Sequence, residues 1–395
     1  MAATPAAHSN RVRLTRRQAI TAALTIAAAV PVEFAGTSRA SASPAPVRLV
    51  LPGPTGPYPV GTVPLHLIDR ARPGQRRELM ISIWYPAQHV DRHPAAPWIA
   101  PAVLPALLAS AGLPADIAAA PLTAGHVGAP VRRTIGRLPV IMYSHGAHGH
   151  RAENTIVVQE LASHGYAVVT VDHTDDAFSE FPDGRVVVPL QDPQRALGPA
   201  DFADDIRFVL DRIAALAAGA DPDAAHRTLP ANLCGALDLT RIGMFGWSKG
   251  ATATTLVMQA DRRVKAGLAI DGPMQPTITT DLDRPVLLLT AVFTRAEPSV
   301  AELLSHLRGW WRNLQAVGAV HSSYSDYQAL MPQLAVVAGM SDEELRDWIG
   351  TLDPARAVRI QQAYPLAFFD LHLRQRRQHL LDGPDPAFPE VMFVP

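Results

Sequence analysis

From Leu138 onward the apolar positions repeat one pattern: a short continuous apolar run, a turn marked by glycine, then apolar residues three and four positions apart. Continuous runs predict strands buried on both faces, and the three-four spacing predicts amphipathic helices. "LPVIMYSHG" reads as a strand, "NTIVVQELASHG" as a helix stopped at Gly165, and "YAVVTVDH" as the next strand. Asp201 to Leu216 carries Phe202, Ile206, Val209 and Ile213 on one helical face. "RIGMFG" reads as a strand, "KGATATTLVMQ" as a helix, and "VKAGLAID" and "RPVLLLTAV" as two further strands. This alternation predicts an α/β fold, a mostly parallel central sheet with helices on both faces.

Ahead of that region the pattern is less regular. Glu78 to Pro86, "ELMISIWYP", alternates as a strand does. Residues 41–64 are rich in proline and glycine and predict an extended lead-in wrapped on the surface. Ala87 to Thr123 mixes prolines and glycines with apolar patches such as "AVLPALLASAGLP", which predicts a helical cap or a mobile loop. No linker breaks the rest, so residues 41–395 read as one domain with a cap segment at 87–123.

Residues 1–40 differ in kind. Arg16 and Arg17 stand side by side before the apolar "AITAALTIAAAV", and small residues near Ala40 suit cleavage. This is the pattern of a twin-arginine export signal, and the apolar stretch falls short of the roughly 20 residues that a spanning helix needs. The expectation is therefore a secreted protein with no transmembrane segment in its mature chain.

Composition narrows the function classes. The chain of 395 residues is 48% hydrophobic, enough for a large core, and its 35 basic and 36 acidic side chains nearly cancel. No basic run outside the N-terminus suggests nucleic acid, so a small-molecule or lipid substrate fits better. Cys234 is the single cysteine, which excludes an internal disulfide even in an oxidising compartment.

The strongest chemical signal is "GWSKG", Gly246 to Gly250. It fits G-x-S-x-G, in which a serine sits on a tight strand-to-helix turn and flanking glycines let the turn close. A strand is predicted to end at its first glycine and a helix to begin at its second.

A serine hydroxyl needs a base to take its proton, and the base needs an anion to hold its tautomer. In this architecture the acid and then the histidine follow the serine in chain order. Asp271 closes "VKAGLAID", and His321 closes "LQAVGAVH" ahead of a predicted helix. Asp281 and Asp283 compete with Asp271, although they follow a polar loop; His306, His372 and His379 compete with His321 from arginine-rich helical segments that read as surface. Oxyanion donors are expected at the backbone N–H of Lys249 and at Ala147, in the glycine turn "SHGAHGH". The Lys249 side chain reads as solvated, and His145 as packed beneath that turn. No cofactor is needed for this chemistry. Peptidases and thioesterases use the same three side chains, and export argues against coenzyme-A thioesters.

At these residues the chain resembles the platelet-activating-factor acetylhydrolase family of α/β-hydrolases, in its secreted, type II branch, as a bacterial member. The resemblance runs through "GPYPVGTVPLHLID", "ISIWYPA", "YSHGAHGHR", "LASHGYAVVTVDH", "GWSKGAT", "GLAIDGP" and "AVHSSYSDY", covering most of Gly56 to Tyr327. It implies an α/β-hydrolase fold, Ser248 as nucleophile, Asp271 as acid, His321 as base, and backbone donors at Ala147 and Lys249. It also implies cleavage of short or oxidised acyl chains from phospholipids. Two departures flank the pocket: animal members often carry Phe where Lys249 stands, and "TDDAF" follows His173 where they have a basic pattern.

Rival readings exist. A lipase or polyester hydrolase for longer acyl chains would share the same machinery. A metal-dependent hydrolase would draw on His145, His148 and His150 with Asp172, His173, Asp175 and Asp176, although histidines in a glycine turn do not make a closed ligand set. A non-catalytic binding protein could keep the fold, yet all three catalytic positions are filled. Trp98, Leu104, Leu107, Leu108 and Leu113, together with Trp310 and Trp311, are the candidates to line an acyl entrance.

Overall fold

The structure, a computed structural model, describes residues 46–72, 76–133 and 136–395. Residues 1–40, read as an export signal, lie outside the described residues. In chain order the main elements begin with strands Val60–Asp69 (β1), Arg77–Pro86 (β2) and Ala95–Pro97 (β3), helix Leu104–Ser110 (α1) and strand Leu122–Val127 (β4). Then come Leu138–Ser144 (β5), Thr155–Ser163 (α2), Ala167–Asp172 (β6), Pro199–Ala217 (α3), Leu237–Trp247 (β7), Lys249–Ala260 (α4) and Val264–Ile270 (β8). The last third holds Val286–Thr290 (β9), Pro298–Ser305 (α5), Trp311–Ala316 (β10), Tyr327–Ala338 (α6), Asp342–Ile349 (α7), Pro354–Arg374 (α8) and Val391–Val394 (β11).

All these strands join one 11-stranded sheet in the order β11-β10-β9-β8-β7-β5-β6-β2-β1-β4-β3. The six central strands, β10 to β6, run parallel, while β11 and β2 flank them antiparallel. Burial on both faces explains why these strands read as continuous apolar runs. Along β5, Val140 and Met142 join the core beneath α3 and α4, whereas Ile141 and Tyr143 join the core beneath α2 and α8.

The strand order reverses around β5: β6 lies on one side of it and β7 on the other. At such a switch point the two outgoing connections leave in opposite directions and open a crevice beyond the strand ends, where ligands bind in open α/β sheets. The turn after β5 and the turn between β7 and α4 both open there.

The segment at 87–123 is neither a purely helical cap nor a loop. It contributes β3 to the sheet edge and then α1, whose Leu104 and Leu108 pack in a satellite cluster with Trp98, Phe178, Leu330 and Leu334. The lead-in is also more than a surface wrap, because Leu49 and Leu51 are buried in the same cluster. Apolar residues at these proline-rich positions find partners only once α1 and α6 come together. Among the described residues, no helix is long and apolar enough to cross a membrane.

Candidate active site

Ser248 lies between the end of β7 and the start of α4 with φ 57° and ψ −118°, a conformation that L residues rarely hold. The glycines around it are sterically required. A Cβ on Gly246 would stand 2.1 Å from the Gly250 carbonyl oxygen, and one on Gly250 would stand 2.0 Å from the Ser144 carbonyl oxygen. Both obstacles are backbone, so α4 can start against the end of β5 only when these positions lack side chains. The Ser248 N–H donates to the Ile270 carbonyl at 2.8 Å, which ties the turn to β8.

Asp271 follows β8 directly, fully buried and at φ 42°. Its Oδ1 accepts the N–H groups of Ala291, Val292 and Phe293 at 2.7, 2.9 and 2.9 Å, and its Oδ2 accepts from His321 Nδ1 at 2.6 Å. Three peptide donors orient one carboxylate oxygen and leave the other for the imidazole. That bond makes Nδ1 the protonated nitrogen and leaves Nε2 free to accept a proton. The His321 ring stacks on Trp247 at 4.7 Å and meets the edge of Phe293, so its plane is held on both sides.

His321 does not close a strand as its sequence predicts. β10 ends at Ala316, and His321 opens a short 3-10 turn, His321–Tyr324, before α6. Asp281 is engaged elsewhere, with His306 at 2.8 Å and Arg308 at 2.9 Å. Asp283 sits near Arg262 and Arg284. His372, read as a surface residue, packs against Trp310 and Phe368, and burial pushes its imidazole down to about 4.

Ser248, His321 and Ala147 line one cavity with Trp98, Leu104, Leu107, Leu108 and Leu113. The predicted entrance residues of the cap segment therefore meet the serine. Trp310 and Trp311 do not: they line a separate depression near Asp382 and Pro395, because they stand at the start of β10, the end of the parallel sheet opposite Ser248. Leu330, Met331, Leu334 and Trp348 take their place in the wall, residues that give no sequence signal because an apolar helix face looks the same whether it meets core or ligand.

Ala147 sits in the turn after β5. The Gly146 N–H donates to Glu153 Oε1 at 2.6 Å and the His148 N–H to Asp176 Oδ1 at 2.5 Å, while the Ala147 N–H between them meets no acceptor among the described residues. Lys249 is the first residue of α4, so its N–H is one of the unpaired donors at a helix start. Its side chain, read as solvated, is instead held by Asp176 Oδ2 at 2.5 Å and the Leu197 carbonyl at 2.7 Å. His145 packs beneath the turn, donating from Nδ1 to the Gly146 carbonyl and accepting the His173 N–H; burial pushes it down to about 4. Both ring nitrogens of His150 are engaged, Nε2 with the Tyr327 hydroxyl and Nδ1 with the Ala152 N–H. Among the described residues no cluster of three or more His, Cys, Asp or Glu is arranged to hold a metal ion.

A hydroxyl on a strained turn, an imidazole held by a buried carboxylate, and unpaired peptide donors have the parts for acyl transfer. With a mostly parallel sheet whose strand ends carry those parts, this is an α/β-hydrolase. The model of the family described as "Platelet-activating factor acetylhydrolase, isoform II" matches residues 46–180 and 209–384. The chain belongs to that family, and it is an ester hydrolase. It is 26% identical over 389 residues to a probable 1-alkyl-2-acetylglycerophosphocholine esterase of Arthroderma benhamiae, covering 90% of this chain and 97% of that protein. It is 22% identical to a platelet-activating factor acetylhydrolase of Cavia porcellus, covering 75% and 74%. A ferulic acid esterase from Streptomyces cinnamoneus superposes with a TM-score of 0.74 at 32% identity, over 88% of this chain and 99% of that one.

Proposed function

We propose that the protein hydrolyses short-chain carboxylic esters, phospholipid sn-2 esters among them, through an acyl-enzyme on Ser248. The observation that carries this reading is the His321 to Asp271 bond of 2.6 Å beside the cavity that Ser248 lines. His321 Nε2 takes the hydroxyl proton as Oγ attacks the ester carbonyl, and the N–H groups of Ala147 and Lys249 stabilise the oxyanion. The C–O bond to the alcohol breaks, and His321 returns its proton to the leaving oxygen. Water then attacks the acyl-enzyme with His321 as base, and the acid leaves as Ser248 regains its proton.

The apolar wall formed by Leu104, Leu108, Leu330 and Leu334 suits an acyl or alkyl chain, which removes apolar surface from water on binding. A second reading, hydrolysis of aromatic-acid esters, is favoured by the likeness to the ferulic acid esterase and by the rings of Trp98, Phe178 and Trp348 in the same wall. The adjacent arginines and apolar stretch of residues 1–40 support twin-arginine export to the exterior, and cleavage near Ala40.

Hydrolysis of nitrophenyl esters from acetate to dodecanoate and of methyl ferulate, with Ser248→Ala in parallel, tests the reading. A Ser248-dependent rate that is highest on the shortest chains supports it. A rate rising toward dodecanoate points to a lipase, and preference for methyl ferulate to the aromatic reading. Full activity in folded Ser248→Ala would sink the assignment of the nucleophile.

A further inference from the structure

Three consecutive peptide groups in the turn after β5 are treated differently. Gly146 and His148 have side-chain carboxyl acceptors, Glu153 and Asp176, and Ala147 between them has none among the described residues. The two flanking bonds orient the Ala147 N–H while leaving it available. Asp176 does a second thing: its other oxygen holds the Lys249 amine at 2.5 Å, so one carboxylate joins the turn that carries Ala147 to the residue that opens α4. Asp176 is 2% exposed, and Lys249 is further fixed by the Leu197 carbonyl and lies 5.1 Å over the Phe202 ring.

Leu197 and Phe202 fall in the stretch 181–208 that the family match skips.

Resting on the acyl-enzyme reading above, we infer that Asp176 and the Lys249 side chain form a clamp that positions the two oxyanion donors, Ala147 N–H and Lys249 N–H, relative to each other. Asp176 is a positioning residue; it acts through the His148 peptide. Lys249 is required as its counter-charge, because a buried unpaired carboxylate one peptide away from a developing oxyanion would repel it.

The clamp is tested in the full chain with Lys249→Met, Asp176→Asn, Asp176→Ala and the double variant Asp176→Asn/Lys249→Met. Readouts are kcat and KM on nitrophenyl acetate, the rate of Ser248 labelling by a fluorophosphonate, and Tm. Lys249→Met keeps its backbone N–H but strands the carboxylate. It should lose roughly 10-fold or more in kcat and in labelling, a fraction of the 10²- to 10³-fold typical of losing an oxyanion donor, with KM changed less than about threefold. The double variant removes the stranded charge and should recover most of that loss, a rescue that mere structural damage would not show. Asp176→Asn keeps an acceptor for the His148 N–H and should exceed Asp176→Ala in kcat, a comparison that stands even if Lys249→Met fails to fold. Equal kcat and labelling in wild type and all variants, or losses that follow Tm with no rescue, overturn the clamp alone. A folded wild type that takes no label at Ser248 overturns the acyl-enzyme reading and the clamp with it.

Discussion

Ser144 and His173 share a hydrogen bond of 2.9 Å between Oγ and Nε2, and Asp205 holds the other ring nitrogen of His173 at 3.0 Å, so a Ser-His-Asp relay distinct from the one proposed at Ser248 lies fully buried beneath the turn that carries Ala147. Burial keeps His173 below its ordinary range, and with Nδ1 turned to Asp205 its Nε2 is the nitrogen that faces the Ser144 hydroxyl. Arg77 and Arg72 neutralise Asp205, whose carboxyl is held well below the usual range: burial opposes this, and the bonds from His173 and Arg77 outweigh it. Access separates this relay from the one proposed at Ser248. The fluorophosphonate should label Ser248 and never Ser144, so Ser248→Ala should take no label. Ser144→Ala should stay active but lose about 1–3 kcal/mol of stability by orphaning a buried acceptor, read by denaturant unfolding. Label on Ser144 would mean that the relay opens to solvent.

Asp271→Asn should lower kcat by about 10⁴ while the chain stays folded. The amide Oδ1 can still accept the three peptide donors, but its other end no longer selects the Nδ1-protonated tautomer of His321. Activity within tenfold of wild type would assign the acid elsewhere.

Gly246→Ala should abolish activity, because the new Cβ meets the Gly250 carbonyl at 2.1 Å and only a backbone shift can relieve it. Overpacking of this kind costs about 1–3 kcal/mol or more, and here the shift moves Ser248 itself. Fluorophosphonate labelling and Tm measured together check this: intact labelling would show that the turn tolerates the displacement.

The stability of the protein should decline as pH rises from about 6.5, where the buried histidines no longer contribute a slope, to about 8. Burial pushes the Glu153 carboxyl up from 4.5 to about 8, so the folded state keeps a proton that the unfolded state has released. Its contribution is full below 4.5 and is lost as pH climbs through 8. Asp326, pushed up by burial from 3.8 to about 7, acts in the same direction. His145, depressed from 6.5 to about 4, acts in the opposite one: its contribution is present above 6.5 and is lost as pH falls toward 4. Glu153→Gln has no proton to lose and should flatten the alkaline side of a Tm-against-pH curve. An unchanged slope would show that Glu153 is ionised in the folded protein.

Much of the site was legible because its rules are local. The turn at Ser248 needs glycine two positions before and after the serine, and that steric demand is written in five consecutive residues. Asp271 was readable as the residue that ends an apolar run. Of the two marks that single out His321, chain order and a strand-end position, only the first is met, since its strand stops at Ala316 and an irregular loop delivers the ring. Trp310 and Trp311 line a different depression from the one that Ser248 lines, and an aromatic residue carries no mark in the sequence of which end of the sheet it faces.

The α/β alternation, the parallel sheet and the glycine-flanked turn at Ser248 follow from periodicity and from sterics between near neighbours, so they are legible in the chain alone. Only the tertiary structure decided which carboxylates face which partners. Asp176 meets Lys249 across 73 positions and Asp205 meets Arg77 across 128, so their roles depend on the strand order that brings them together. A charged side chain in a loop reads as solvated until a distant segment buries it, and then the loss of water obliges it to find an opposite charge.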